Sequence, residues 1–198
     1  MTNTTRTALV LGATGGIGSE TAHALSRHGW KIRALARSGH TADSTNSWEW
    51  IKGDALDLDS IVAAAQGTNA IVHAVNPSGY RNWAALVLPM IENTIAAAKT
   101  SGARIVLPGT IYNFGPDAFP VLREDSPQRA TTHKGKIRIA LEEKMQAAAR
   151  EGVRSLIVRF GDFFGPKAGN NWFSQGLVKP NRPVTSIMNP GSNGIGHA

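Results

Sequence analysis

A doubly wound α/β fold, a parallel sheet carrying helices on both faces, is predicted by three features of the sequence. Short apolar runs alternate with stretches of helical periodicity, the first run stops at a cluster of glycines, and a helical pattern starts directly after it. The 198 residues, 41% hydrophobic and 18% charged, suffice for one sizeable core and are too apolar for a disordered chain. With no cysteine there is no disulfide framework, thiolate metal site or cysteine nucleophile, and no metal site is expected. Lys and Arg outnumber Asp and Glu by 21 to 14, a net charge of +7, but they are spread along the chain. The densest group, Arg129, Lys134, Lys136 and Arg138, has no interleaved aromatics and no nucleic-acid motif around it, so nucleic acid is not an expected partner. No run approaches the ~18 apolar residues of a membrane span, and residues 1–6 lack the features of a secretory signal. The expectation is a cytoplasmic protein with no membrane partner.

Thr7-Ala8-Leu9-Val10-Leu11 reads as a strand buried on both faces. Ile17, Thr21, Ala24, Leu25 and His28 then recur at helical spacing, with Gly29 placed to stop the helix. Further strands are read at 30–35, 70–75, 104–107 and 153–160. Between them Trp83, Leu86, Val87, Met90, Ile91, Thr94, Ile95 and Ala98 hold to one helical face for about four turns, with Pro89 the one local conflict. A last helix spans 134–150, with Ile137, Leu141, Met145 and Ala148 on one side and Gly152 just beyond its end. Residues 39–46 and 112–132 read as loops, and after Gly165 no periodic element is found.

The first strand runs into Gly12-Ala13-Thr14-Gly15-Gly16-Ile17-Gly18 and then the helix. In such a setting one glycine allows the tight turn, another lets backbone approach a pyrophosphate, and a third lets helix and strand pack closely. The phosphates sit against unpaired N–H groups at the positive end of the helix dipole. This makes the fold Rossmann-type, with Gly12, Thr14, Gly15, Gly16, Ile17 and Gly18 as cofactor-binding residues. Gly12, Gly15 and Gly18 are three apart, a variant with one more residue in the turn than GxGxxG. An acid at the end of the second strand would bind a ribose 2′-hydroxyl, whereas an arginine accommodates a 2′-phosphate. The strand ends Ala34-Leu35-Ala36-Arg37-Ser38, so NADP(H) is favoured over NAD(H), the alternative being that Arg37 is a solvated charge.

Together with that loop, Gly53-Asp54-Ala55-Leu56-Asp57, Val72-His73-Ala74-Val75, Leu107-Pro108-Gly109-Thr110-Ile111-Tyr112-Asn113-Phe114-Gly115 and Arg159-Phe160-Gly161-Asp162-Phe163-Phe164-Gly165-Pro166 resemble the short-chain dehydrogenase/reductase superfamily. Within it the likeness is to extended and atypical members of the NAD-dependent epimerase/dehydratase type. The resemblance implies that Asp54 and Ala55 lie beside the adenine and Ala74 and Val75 beside the nicotinamide-side ribose. It also puts Gly109-Thr110 at a strand end facing a small-molecule substrate. For Asp54 and Asp57 a loop and helix-capping pair is the alternative.

In the family a Tyr acts as acid or base, with a Lys four residues later. That spacing puts both on one helical face, where the ammonium lowers the phenol pKa from ~10 and holds the cofactor ribose. Of the two tyrosines, Tyr80 is followed four residues on by Ala84 and Tyr112 by Pro116, so neither makes the motif. The matching segment reads Thr132-His133-Lys134-Gly135-Lys136, with Lys136 in the lysine's place and Thr132 in the tyrosine's. A threonine hydroxyl is too weak an acid to replace a tuned phenol unaided. One reading is an NAD(P)-dependent oxidoreductase or epimerase acting on a carbonyl, hydroxyl or sugar-nucleotide substrate. In it Tyr112 or His133 is the proton donor, Thr110 holds the substrate oxygen and Lys136 the ribose. The other is a non-catalytic NADP(H)-sensing regulator. Residues 1–166 are expected to form the dinucleotide-binding domain. Residues 167–198 are expected to begin a substrate-binding region that is cut short, with Trp172 and Phe173 lining a pocket or filling core. A homodimer through the helices at 83–98 and 134–150 would be in keeping with the resemblance.

Overall fold

Leu9, Leu11, Ile71, Ile105 and Leu107 alternate with Ala8, Val10 and Val72 along the central strands, and all eight are almost wholly buried. A strand buried on both faces needs a helical layer on each. The computed structural model describes residues 5–38, 47–77, 82–161, 163 and 182–186. It divides into Met1–Phe160 and Gly161–Ala198. In the second unit the described residues form no helix or strand, and Tyr80, Trp172 and Phe173 lie outside the described residues.

The first unit holds six strands, β1 (Thr7–Leu11), β2 (Lys31–Ala36), β3 (Glu49–Lys52), β4 (Ala70–His73), β5 (Arg104–Thr110) and β6 (Ser155–Phe160). They pair in parallel in the order β3-β2-β1-β4-β5-β6. The helices are α1 (Gly16–Arg27), α2 (Leu58–Ala65), α3 (Trp83–Ser101) and α4 (His133–Arg150), with a 3₁₀ turn at Pro116–Ala118. Residues of α2, α3 and α4 share one core with Leu9, Leu11, Ile71 and Ile105, whereas α1 packs through Ala22 and Leu25 on Ala8, Val10, Ala34 and Val72. Helices thus cover both faces, and each fully buried Leu or Ile adds roughly 1.5–3 kcal/mol of apolar burial. The strand order reverses between β1 and β4, the switch point at which this architecture opens its ligand crevice.

The structure corrects several element bounds. β2 starts at Lys31 because the Trp30 N–H closes on the Leu25 carbonyl. β6 starts at Ser155 because the Val153 N–H still closes on Ala148 at the end of α4. β4 stops at His73: Ala74 makes one more bond to Leu11, and then Gly12 turns away. β5 continues through Pro108 and Gly109 to Thr110, although neither residue favours a strand. Its pairing with β4 ends at Val106, so the proline sits where only β6 lies alongside and one side has no ladder to interrupt. α3 runs through Pro89 to Ser101. β3 and α2 were not expected. β3 is an edge strand with a charge at each end, Glu49 and Lys52, and α2 has eight residues, fewer than the window over which helical periodicity can be read.

Candidate functional site

Glycine geometry shapes the turn after β1. Gly12 has φ +84°, and a Cβ on it would lie 2.6 Å from the Ala74 carbonyl oxygen and 2.9 Å from the Val75 nitrogen. The ends of β1 and β4 therefore meet backbone to backbone, bringing Ala74 and Val75 to the glycine turn. A Cβ on Gly18 would lie 2.1 Å from the Gly12 carbonyl oxygen, so α1 docks onto the turn through that glycine. The Gly15 N–H closes the turn on Gly12 at 2.9 Å. Thr14, Gly15 and Gly16 are exposed, and a Cβ on Gly16 would meet nothing within 4 Å.

The N–H groups of Gly16, Ile17 and Gly18 open α1 and have no helical acceptor. Two of the other helices supply one from the chain, whereas α3, like α1, has no side-chain cap. Asp57 accepts from the Ser60 N–H over a long 3.5 Å at the start of α2, and Thr132 Oγ1 accepts from the Gly135 N–H at 3.1 Å at the start of α4. The α1 terminus has no side-chain cap and no acid in its first turn. Open space beside Gly16, close glycine packing behind it and bare donors at a helix dipole fit a dinucleotide pyrophosphate.

Arg37 stands exposed just past β2, with no hydrogen bond or ion pair among the described residues. Asp54 Oδ1 accepts from the Leu56 N–H at 3.0 Å and Asp57 caps α2, so both acids fill the loop and capping roles read as their alternative. Ala55 is buried, and its carbonyl accepts from Asn93 Nδ2 at 3.1 Å.

Behind Ala74 and Val75 lies His73, 4% exposed, with Nδ1 2.8 Å from Thr94 Oγ1. The Thr94 hydroxyl gives its proton to the Met90 carbonyl at 3.0 Å, so it accepts from an Nδ1–H and the other ring nitrogen is an acceptor. Burial first, then the charge of Arg138, lowers the His73 pKa to about 3, and the ring is neutral. The Arg138 guanidinium lies 5.0 Å over the Trp83 ring, whose Nε1–H donates to Asn76 Oδ1 at 2.7 Å.

The expected catalytic residues are not gathered as read. Thr132 is the N-cap of α4. Lys136 is exposed, whereas Arg138, two residues on and about 200° round the helix, is half-buried towards β4 and α3. His133 and Lys134 are exposed but line a groove of about 420 Å³ with Asn82, Trp83 and Ile137. Lys134 and Arg138 are the pair four residues apart on α4, and the sequence reading passed over both. The phase of Ile137, Leu141, Met145 and Ala148 could have found them, because Lys134 and Arg138 fall on that side of the helix and Lys136 falls opposite. Tyr112 is 38% exposed.

Thr110, at the end of β5, joins a set of polar residues the sequence did not reveal. Its Oγ1 donates to Asn113 Oδ1 at 3.0 Å, Asn113 Nδ2 to Gln128 Oε1 at 2.9 Å, and Gln128 Nε2 to Glu142 Oε2 at 2.7 Å. Glu142, 1% exposed, takes both arms of Arg159 at 2.7 and 2.9 Å. Arg159 also donates to the Thr110 carbonyl at 2.8 Å. Gly109 gives room for this, since a Cβ there would come within 2.6 Å of the Ile157 side chain. Among the described residues no helix is long and apolar enough to cross a membrane.

The family model described as NAD dependent epimerase/dehydratase family matches residues 8–179. A 3-diazoavenalumate denitrifying reductase from a Streptomyces species is 27% identical over 177 residues, 81% of this chain and 57% of that protein. A UDP-N-acetylglucosamine 4-epimerase from Bacillus cereus superposes with TM-score 0.73 at 19% identity, over 85% of this chain and 58% of its own. A UDP-glucose 4-epimerase from Brucella ovis, solved in complex with NAD, superposes with TM-score 0.69 at 19% identity, over 79% and 52%. The chain thus spans a little over half the length of these relatives.

Proposed function

The chain belongs to the NAD dependent epimerase/dehydratase family, and on that premise we propose that it binds NADP(H) between β1 and β4 as an oxidoreductase or epimerase. Its substrate would be a small carbonyl or hydroxyl compound or a sugar nucleotide. The observation that carries the reading is the start of α1, which has no side-chain cap and where Gly16 stands beside open space. The N–H groups of Gly16, Ile17 and Gly18, with Thr14 and Gly15, would hold the pyrophosphate. Arg37 would pair with a 2′-phosphate, Asp54 and Ala55 would border the adenine, and Ala74 and Val75 the nicotinamide-side ribose. When bound, the nicotinamide supplies hydride transfer. On α4 we assign the ribose-side cation to Arg138 in preference to Lys136, because Arg138 is half-buried against Trp83 of α3 and Lys136 is exposed. Thr110 would meet the substrate, with Tyr112 and His133 as proton donors. Residues 1–166 would form the dinucleotide-binding domain and 167–198 would belong to the substrate region.

The second reading, a non-catalytic NADP(H) sensor, is favoured by one observation: no phenol stands four residues before a cation on α4, and Thr132 serves as a cap. Calorimetric titration with NADPH and with NADH tests both readings at their common premise. Binding with NADPH preferred is expected. Arg37→Ala should weaken NADPH about tenfold and leave NADH nearly unchanged, since only NADPH carries the phosphate that a guanidinium binds. Equal losses would remove the NADP(H) preference. Oxidation of bound NADPH by a panel of carbonyl and sugar-nucleotide compounds separates enzyme from sensor.

A further inference from the structure

The buried Glu142 carboxylate sets the direction of every hydrogen bond between it and Thr110. Bound by both arms of Arg159, which is always charged, it is ionised and can only accept. The Gln128 group facing it at 2.7 Å must therefore be the NH₂ end, leaving the Gln128 oxygen for Asn113. That oxygen must take the NH₂ of Asn113 at 2.9 Å, which turns the Asn113 oxygen towards Thr110. An amide oxygen has no proton to give, so at 3.0 Å the Thr110 hydroxyl is the donor. Two side-chain amides whose oxygen and nitrogen ends would otherwise be interchangeable are fixed by one charge.

We propose that this relay makes Thr110 a one-way contact, able to meet a substrate only as a hydrogen-bond acceptor. The group it selects is a donor, a hydroxyl or an amine, and not a carbonyl or an oxyanion. The proposal rests on the reading that Thr110 faces the substrate. It makes Glu142, Gln128 and Asn113 positioning and specificity-determining residues, set behind the one that touches the ligand. Breaking the link releases the relay. In Gln128→Leu the charge of Glu142 no longer reaches Asn113, whose amide can then turn either end to Thr110. Thr110 would then be able to accept from Asn113 and point its proton outward.

Side-chain amide NMR on the wild-type protein reads the relay without any ligand. The Asn113 amide protons are expected to contact Gln128, and amide protons directed at Thr110 overturn the proposal. With NADPH present, cyclohexanol and cyclohexanone are then titrated while the Thr110 methyl signal is followed. The alcohol should bind about fivefold more tightly, the ratio one neutral hydrogen bond supports. Equal binding, a preference for the ketone or an unmoved Thr110 signal overturns the substrate contact. Gln128→Leu should bring the ratio towards one, and an unchanged ratio overturns the relay. If that variant fails to fold, the wild-type amide directions and binding ratio still decide. Absence of NADPH binding overturns the functional reading and not the relay, because the amide directions are read on the protein alone.

Discussion

At the end of β1 the N–H groups of Gly16, Ile17 and Gly18 meet no capping side chain, whereas at the ends of β5 and β6 Thr110, Asn113, Gln128, Glu142 and Arg159 bond one another. Both regions lie on the carboxyl edge of one sheet. The first leaves donors for something outside the chain and places little but glycine around them. The second leaves almost nothing unsatisfied and buries a charge to hold one hydroxyl. The contrast separates two ways of building a site, one in which the ligand completes the hydrogen bonding and one in which the protein completes it beforehand. Substitutions at the second should act mainly on stability, and those at the first mainly on affinity.

Glu142→Ala is the largest expected effect. It leaves Arg159, which is also stacked 5.0 Å from the Phe114 ring, without its carboxylate, and truncating one member of a buried pair costs about 3–5 kcal/mol. Urea unfolding should show that loss. A loss below about 1 kcal/mol would place this region among ordinary surface ion pairs and end the contrast.

His73 sharpens the comparison through pH. Its folded-state pKa of about 3 lies below the ordinary 6.5, so the unfolded chain binds the extra proton between those values. Its contribution is fully present above pH 6.5 and declines as pH falls towards 3, by up to about 1.4 kcal/mol per pH unit. Unfolding curves at pH 7, 6 and 5 should show this slope in the wild type and a shallower one in His73→Asn, which keeps a donor for Thr94. Identical slopes would mean that the ring is not buried neutral.

How far the sequence could be read follows the same division. The β1 turn was legible because its requirements are local: Gly12 needs φ +84°, Gly18 needs contact with Gly12, and both lie within seven residues of chain. The relay was not legible, because Thr110, Gln128, Glu142 and Arg159 come from four separate segments joined only by tertiary packing. On α4 the residue types misled. Matching a Lys four residues after Thr132 gave Lys136, whereas the buried positions Gly135, Ile137, Leu141 and Glu142 fix a helical phase that turns Arg138 inward. β3 escaped as an edge strand with a charge at each end and α2 by being short, although Asp57 is legible as its cap.

Gly16→Ala tests the open region without disturbing the fold. A methyl there meets nothing within 4 Å, and alanine at a helical position gains up to about 1 kcal/mol over glycine. Thermal stability should hold or rise slightly while dinucleotide affinity falls about tenfold, or ~1.4 kcal/mol. Unchanged affinity in calorimetry would mean that the space beside Gly16 is not where a ligand lies.

Thr132 gives the smallest effect and the finest distinction. Its Oγ1 accepts from the Gly135 N–H, so Thr132→Ala should cost about 1 kcal/mol as a lost N-cap, and Thr132→Ser should restore nearly all of it. A cap acts on the helix and leaves the crevice alone, so NADPH affinity should be the same in all three proteins. If Thr132→Ala instead keeps its stability and loses turnover of a substrate found in the panel, the hydroxyl belongs to the chemistry. The start of α4 would then serve its ligand as the start of α1 does, and the contrast between the two ends of the sheet edge would have to be redrawn.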